Sequence, residues 1–169
     1  MQKIMLILFL LAFQTGFSQK IAYIEMDVIL DKMPEFKQAS DAVDKQADQW
    51  QSELDTKFDA VESMYQEYVK NESTLSDQAK QQKQEAIFQA EKQANDFKEE
   101  KFGRDGEINS YQEEKFKPIY DTVFAAAEKV AKEKGYDYVF DKSQQAAWIY
   151  TNPDMDLTQD VINDLGLEK

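Results

Sequence analysis

The chain has 169 residues, 42% hydrophobic and 31% charged, with 33 Asp or Glu against 20 Lys or Arg and a formal net charge of −13. That acidic balance excludes a phosphate-neutralising nucleic-acid surface, and the hydrophobic share, with 12% aromatics, excludes a solvated acidic tail. With no His and no Cys, the chain lacks the usual general base, a thiol nucleophile, any disulfide, a lipidated-Cys anchor and most transition-metal ligands.

At the N-terminus Lys3 precedes a ten-residue apolar run, 4–13, and Gly16 and Ser18 follow with small side chains two positions apart. This is the pattern of a secretory signal peptide over residues 1–18, with cleavage expected after Ser18 or Gln19. The run is too short for a helical membrane span, which takes roughly 20 residues. The mature protein is expected to be soluble and outside the cytoplasm. Losing Lys3 leaves 19 basic against 33 acidic residues, a net charge of −14.

Next comes "KIAYIEM", residues 20–26, read as one strand with no neighbouring strand in sequence. From Ala39 the apolar positions run Val43, Ala47, Trp50, Leu54, Phe58, Val61, Tyr65 and Tyr68, in steps of three and four that predict a helix over 37–69. A second stripe, Leu75, Ala86, Phe97, Ile108, Ile119 and Val130, repeats every eleven residues, a period that favours straight helices lying side by side. Between them "KNESTLSDQ", residues 70–78, is a turn, with Ser76 or Thr74 as N-cap of the second helix. So short a connection predicts antiparallel neighbours, a long helical hairpin.

Trp50, Phe58 and Phe97 fall on the stripes and read as coiled-coil core. Met64, Tyr68 and Phe88 fall off the stripes or near the turn and are the candidate binding residues. Gly103 and Gly106 interrupt the second helix and read either as a bend where the hairpin meets its base or as two glycines tolerated within a continuing helix; Pro118 either starts a new helix or kinks the old one. Gly135 predicts a helix C-cap.

Beyond Gly135, "YDYVFD" (136–141) alternates Tyr136, Tyr138 and Phe140 against Asp137, Val139 and Asp141, and "AAWIYT" (146–151) follows a turn, so the two are expected to form a hairpin that strand 20–26 joins. In the tail, Asp156 and Gln159 suggest a capping box for a short final helix. Asn152, Asp154, Asp156 and Thr158 alternate like calcium ligands, but Leu157 and Asn163 occupy the positions where an EF-hand needs Gly and Glu. No metal, cofactor or catalytic constellation is expected. A body of three short strands is thin for independent stability, and oligomerisation is the available remedy.

Taken together, "KIAYIEMDVILDKMPEFKQA", the charged hairpin, "PIYDTVFAAAEKVAKEKGYDYVFDKS", "AAWIY" and "DLTQDVINDL" resemble the Skp/OmpH family of periplasmic outer-membrane-protein chaperones. The resemblance implies an α+β, mostly α fold: a small β body formed by both chain ends (19–36 and 118–169), with a long antiparallel coiled-coil arm (37–117, tip near 70–78) inserted. It implies a trimeric, jellyfish-like assembly whose arms surround a cavity. The implied function is that of an ATP-independent periplasmic holdase, not an enzyme, that keeps unfolded outer-membrane β-barrel proteins from aggregating; such clients alternate apolar and polar residues along each strand. A structural or adaptor coiled-coil envelope protein docking a defined partner is the alternative. Contact of the tips with membrane or lipopolysaccharide does not carry over, because residues 62–84 hold three Lys against four acids.

Overall fold

The structure, a computed structural model, describes residues 19–143 and 148–167. The chain divides into two compact units, one built from both chain ends, up to Met33 and from Asp121 onward, the other running from Pro34 to Tyr120.

In the terminal unit β1 (Ile21–Ile24) pairs in parallel with β2 (Tyr138–Asp141), Ile21 opposite Tyr138 and Ile24 opposite Asp141. The parallel pairing confirms that the two ends of the chain meet. The sheet has two strands, and the predicted hairpin does not form: 148–151 carry no strand, and 146–147 lie outside the described residues. The far edge of β1 is met instead by the tail, through a parallel bridge between Tyr23 and Asp156 and a hydrogen bond from Leu157 N–H to Tyr23 O of 2.9 Å.

Strand 20–26 is also shorter than expected. Met26 to Leu30 form α1, whose Met26, Ile29 and Leu30 are buried. The Asp141 carboxylate accepts from Met26 N–H at 3.3 Å and from both Ser143 N–H and its hydroxyl, so the end of β2 holds the start of α1. The final helix, α5 (Thr158–Asp164), packs against α1 and buries Val161 and Ile162. The expected capping box does not form: the N-cap is Leu157, Asp156 one residue before it accepts from Thr158 N–H at 2.9 Å, and Gln159 turns to Asn163, while the Thr158 hydroxyl accepts from Glu25 N–H at 2.9 Å.

In the other unit α2 (Pro34–Asn71), with Pro34 in the first turn, runs antiparallel to α3 (Asp77–Phe102). Its 38 residues extend about 57 Å. A single 3-10 turn, Glu72–Thr74, and the Ser76 cap, whose hydroxyl accepts from Ala79 N–H at 3.3 Å, reverse the chain. Phe36 against Phe116, Trp50 against Phe102, and Gln84 bonded to Tyr68 set the register, which puts residue 88 at about the level of residue 64.

The second long helix is not continuous. It breaks after Phe102, and α4 (Glu107–Lys134) begins beyond Gly106. The break stands opposite Trp50, inside the hairpin unit rather than at its base as expected. Both glycines are there for space: a Cβ on Gly103 would lie 2.3 Å from Glu99 O, and one on Gly106 would lie 2.7 Å from Lys101 O. Pro118 sits within α4, removing one donor from the helix ladder without ending it. The helix ends at Gly135 (φ 73°), where Tyr136 N–H reaches Ala131 O and Gly135 N–H reaches Lys132 O, the double closure expected of a glycine C-cap.

Candidate functional site

The hairpin is a two-helix layer, so its helices can bury only the narrow seam where they touch. Ala39, Val43, Leu54, Tyr68, Ala94 and Ile119 are the buried hydrophobics of this unit. The apolar stripe of α2 is wider than that seam, and its outer edge stays in solvent. Phe58 is 37% exposed and Tyr65 54% exposed, with Val69 one turn further on, all three on one face of α2. The expectation that Phe58 is core is therefore corrected: it lies at the rim of the seam.

Near the turn the predicted binding residues separate. Phe88 on α3 is 58% exposed, and Met64, at about the same level on α2, is half-buried. Tyr68 is only 7% exposed, an interior position and not the surface position expected of it. Its hydroxyl donates to the Glu72 carboxylate at 3.2 Å and accepts from Gln84 Nε2 at 2.8 Å, crossing the hairpin at its tip. Burial, and then the Glu72 carboxylate, push the Tyr68 hydroxyl up from its ordinary value. Beside it Lys83 bridges to Glu67 at 2.9 Å, and that hydrogen bond lowers the Glu67 pKa. The seam at the tip is thus polar and specific, while the apolar rings near it point outward.

Halfway along, the break is sealed by aromatic and charged contacts. Trp50 meets Phe102 and Tyr111 edge-on, at centroid distances of 6.4 and 6.3 Å. Lys101 Nζ lies 5.4 Å from the Trp50 ring centre and 5.6 Å from that of Phe97, within the range of cation–π attraction. The same ammonium spans the break, bonding Glu100 and Glu107 at 2.7 Å each. Those two hydrogen bonds, Glu100 first, raise the Lys101 pKa. Trp50 and Phe97 are the half-buried ring positions that the stripe predicted; the lysine that joins them carries no periodic signal.

The terminal unit leaves a second apolar surface. Tyr138 and Phe140 project from the exposed face of β2, Phe140 stacks edge-on with Trp148 at 6.3 Å, and Phe124 and Tyr150 are also exposed. Ile149 is fully exposed. A groove of about 570 Å³ runs between β2 and the second half of α4, floored by Ala127 and Ala131 and flanked by Phe124 and Phe140. Such an edge, bordered by rings, suits pairing with another strand. Among the described residues no cluster of acidic side chains is placed to hold a metal ion.

Residues 20–165 match the family described as outer membrane protein (OmpH-like). The chain belongs to the OmpH family. The match covers the terminal segments and the hairpin alike, in agreement with the resemblance carried by the sequence. A solved OmpH-like structure from Caulobacter crescentus CB15, assigned as an outer membrane chaperone, shares the fold with a TM-score of 0.69 at 13% identity, covering 90% of this chain and 85% of that one. No curated protein matches. The OmpH family is one of chaperones rather than enzymes, and membership implies a place in the cell envelope. No described helix is long and apolar enough to cross a membrane.

Proposed function

We propose that this OmpH-family protein is an ATP-independent periplasmic holdase, exported by a cleaved signal peptide over residues 1–18, that keeps unfolded outer-membrane β-barrel proteins from aggregating. The observation that carries the reading is the set of large apolar side chains, Phe58, Tyr65, Val69 and Phe88, standing in solvent on an otherwise charged hairpin. Phe58, Tyr65 and Val69 share one face of α2, and apolar side chains grouped on a surface, unlike single scattered ones, mark an interaction site. Such a row of side chains offers many weak contacts to an alternating chain and no single tight pocket, which suits retention without a fixed client conformation.

On this reading Phe88 and Met64 contact clients from neighbouring helices, joined by Phe58, which the sequence assigned to core, and by Tyr65 on the same stripe. Tyr68 acts from behind, holding the tip. The body forms a homotrimer through the rings of Tyr138, Phe140, Trp148 and Ile149 and the open edge of β2, and three hairpins then surround a client cavity. Sedimentation of the mature chain checks the trimer; a monomer across micromolar concentrations overturns it.

Light scattering during dilution of a denatured porin-like barrel tests the function. Stoichiometric mature protein is expected to suppress the signal, and combined Phe58→Ser, Tyr65→Ser and Phe88→Ser substitutions are expected to restore much of it at unchanged helicity. Unaltered aggregation in the presence of the wild-type protein removes the holdase reading.

A further inference from the structure

The exposed rings of the hairpin share a local pattern. Each has a carboxylate three positions earlier, one helical turn back on the same face: Asp55 before Phe58, Glu62 before Tyr65, Glu85 before Phe88. Each of these carboxylates accepts a hydrogen bond from a glutamine amide four residues away, Gln51 on Asp55, Gln66 on Glu62 and Gln89 on Glu85, all at 2.7 Å. A glutamine orients a carboxylate without neutralising it. None of the three acids forms an ion pair among the described residues, and no lysine stands three or four positions from any of them on its own helix. Lys57 is committed to Glu53 and to the Phe97 ring, and Lys92 to Asp96. Elsewhere on the hairpin, carboxylates such as Glu67, Glu100 and Glu107 do carry lysine partners.

From this juxtaposition we infer that the three ring–carboxylate pairs form a docking surface for unfolded segments that carry arginine among apolar residues. A guanidinium is planar, weakly hydrated, able to lie against an aromatic face and to bond a carboxylate with the same group, so one side chain satisfies both halves of each pair. Apolar neighbours in the same segment then cover the rest of the ring. The acidic excess of the chain adds long-range attraction for such segments and repels acidic ones. This deepens the holdase reading, on which it rests, by naming the client chemistry the surface favours.

The test uses the mature chain and three disordered peptides of Leu, Ser and Gly with interspersed Arg, Gln or Glu, followed by fluorescence anisotropy at low and at high salt. Exposed charged contacts are individually weak, so three together are expected to favour the Arg peptide over the Gln peptide by about tenfold, with the Glu peptide weakest. High salt is expected to shrink that ratio. Combining Asp55→Asn, Glu62→Gln and Glu85→Gln, which keeps each side chain's size, is expected to bring the ratio near one. Binding of the Gln peptide with no preference for Arg overturns the inference while leaving client holding intact. An Arg preference that survives the triple substitution also overturns it, placing the selectivity elsewhere, and failure to bind any peptide removes both readings.

Discussion

The two units are stabilised in opposite ways. The terminal unit gathers fifteen buried hydrophobic residues, among them Ile29, Val123, Leu157, Val161 and Ile162 with almost no exposure, onto one short sheet from four directions of the chain. The hairpin, the longer of the two, has six, and relies on rings, a bridging lysine and a polar tip along a single seam. A core enclosed on all sides resists change because every lost atom leaves a void. A seam open on both flanks has few packed neighbours and opens locally at little cost, which leaves its surface free to adapt.

The contrast is broken most directly by truncating matched side chains. Ile29→Ala, in the enclosed core, is expected to cost about 3 kcal/mol. Leu54→Ala, on the hairpin seam, is expected to cost about half as much, because water and neighbouring side chains reach the gap. Urea unfolding followed by circular dichroism measures both, and equal costs would erase the distinction drawn between the units.

A smaller effect separates two uses of glycine. Replacing a mid-helix glycine by alanine usually stabilises by about 1 kcal/mol. Gly103→Ala is expected to destabilise by about 1–2 kcal/mol, since its Cβ would lie 2.3 Å from the Glu99 carbonyl oxygen. Gly135→Ala is expected to cost about the same for a different reason, a φ of 73° with open space around it. Hydrogen exchange distinguishes them: the first accelerates amides around 99–111, the second those near the end of α4. Acceleration confined to other regions would refute the role given to the break.

The smallest expected effect lies at the tip. Lys83 lowers the Glu67 pKa below the ordinary 4.5, so the pair's contribution is fully present above that value and is lost as pH falls through the lower folded value. Exchange of tip amides is expected to quicken in that acid window, and Lys83→Met to reduce the change. A tip indifferent to both would leave the Tyr68 bridge as the sole polar tie.

The helical hairpin was legible because period and turn chemistry are local properties: the three-four steps of α2, the Ser76 cap and the Gly135 closure all stand where the residues place them. The meeting of the two chain ends was legible from the run at 20–26, which has no strand-like neighbour in sequence, and the strand-like runs beyond Gly135, although of those only 138–141 pairs with it among the described residues. Less legible was which part of a stripe is buried. Periodicity reports the direction of an apolar face but not the width of what covers it, so Phe58 reads as core and Tyr65 as part of the same stripe, although both stand largely in solvent. Tyr68 misled in the opposite sense, since a hydroxyl that finds Glu72 and Gln84 can be buried where an isolated ring at a turn would be left outside. In the terminal unit the run after Ile24 reads as strand, but the backbone turns into α1, anchored by a carboxylate on a strand far away in sequence. The ring–carboxylate pairs were present in the sequence throughout, yet only the glutamine bonds to Asp55, Glu62 and Glu85, with no ion pair to any of them among the described residues, show that their charge remains available.

The parallel pairing of β1 with β2 also dictates an order of events. Lys20 donates its amide to Asp137, 117 positions away, so the first strand synthesised finds its partner near the very end of the chain. Closing so long a loop of free chain is slow, whereas helices that zip from a tight turn join near neighbours in sequence. Once zipped, the hairpin has already brought Phe36 and Phe116 to 5.3 Å, and little free chain is left between those rings and the two strands. The hairpin with its exposed rings therefore forms before the terminal unit closes, and a chain cut short of β2 would be left with those rings exposed and its first strand unpaired.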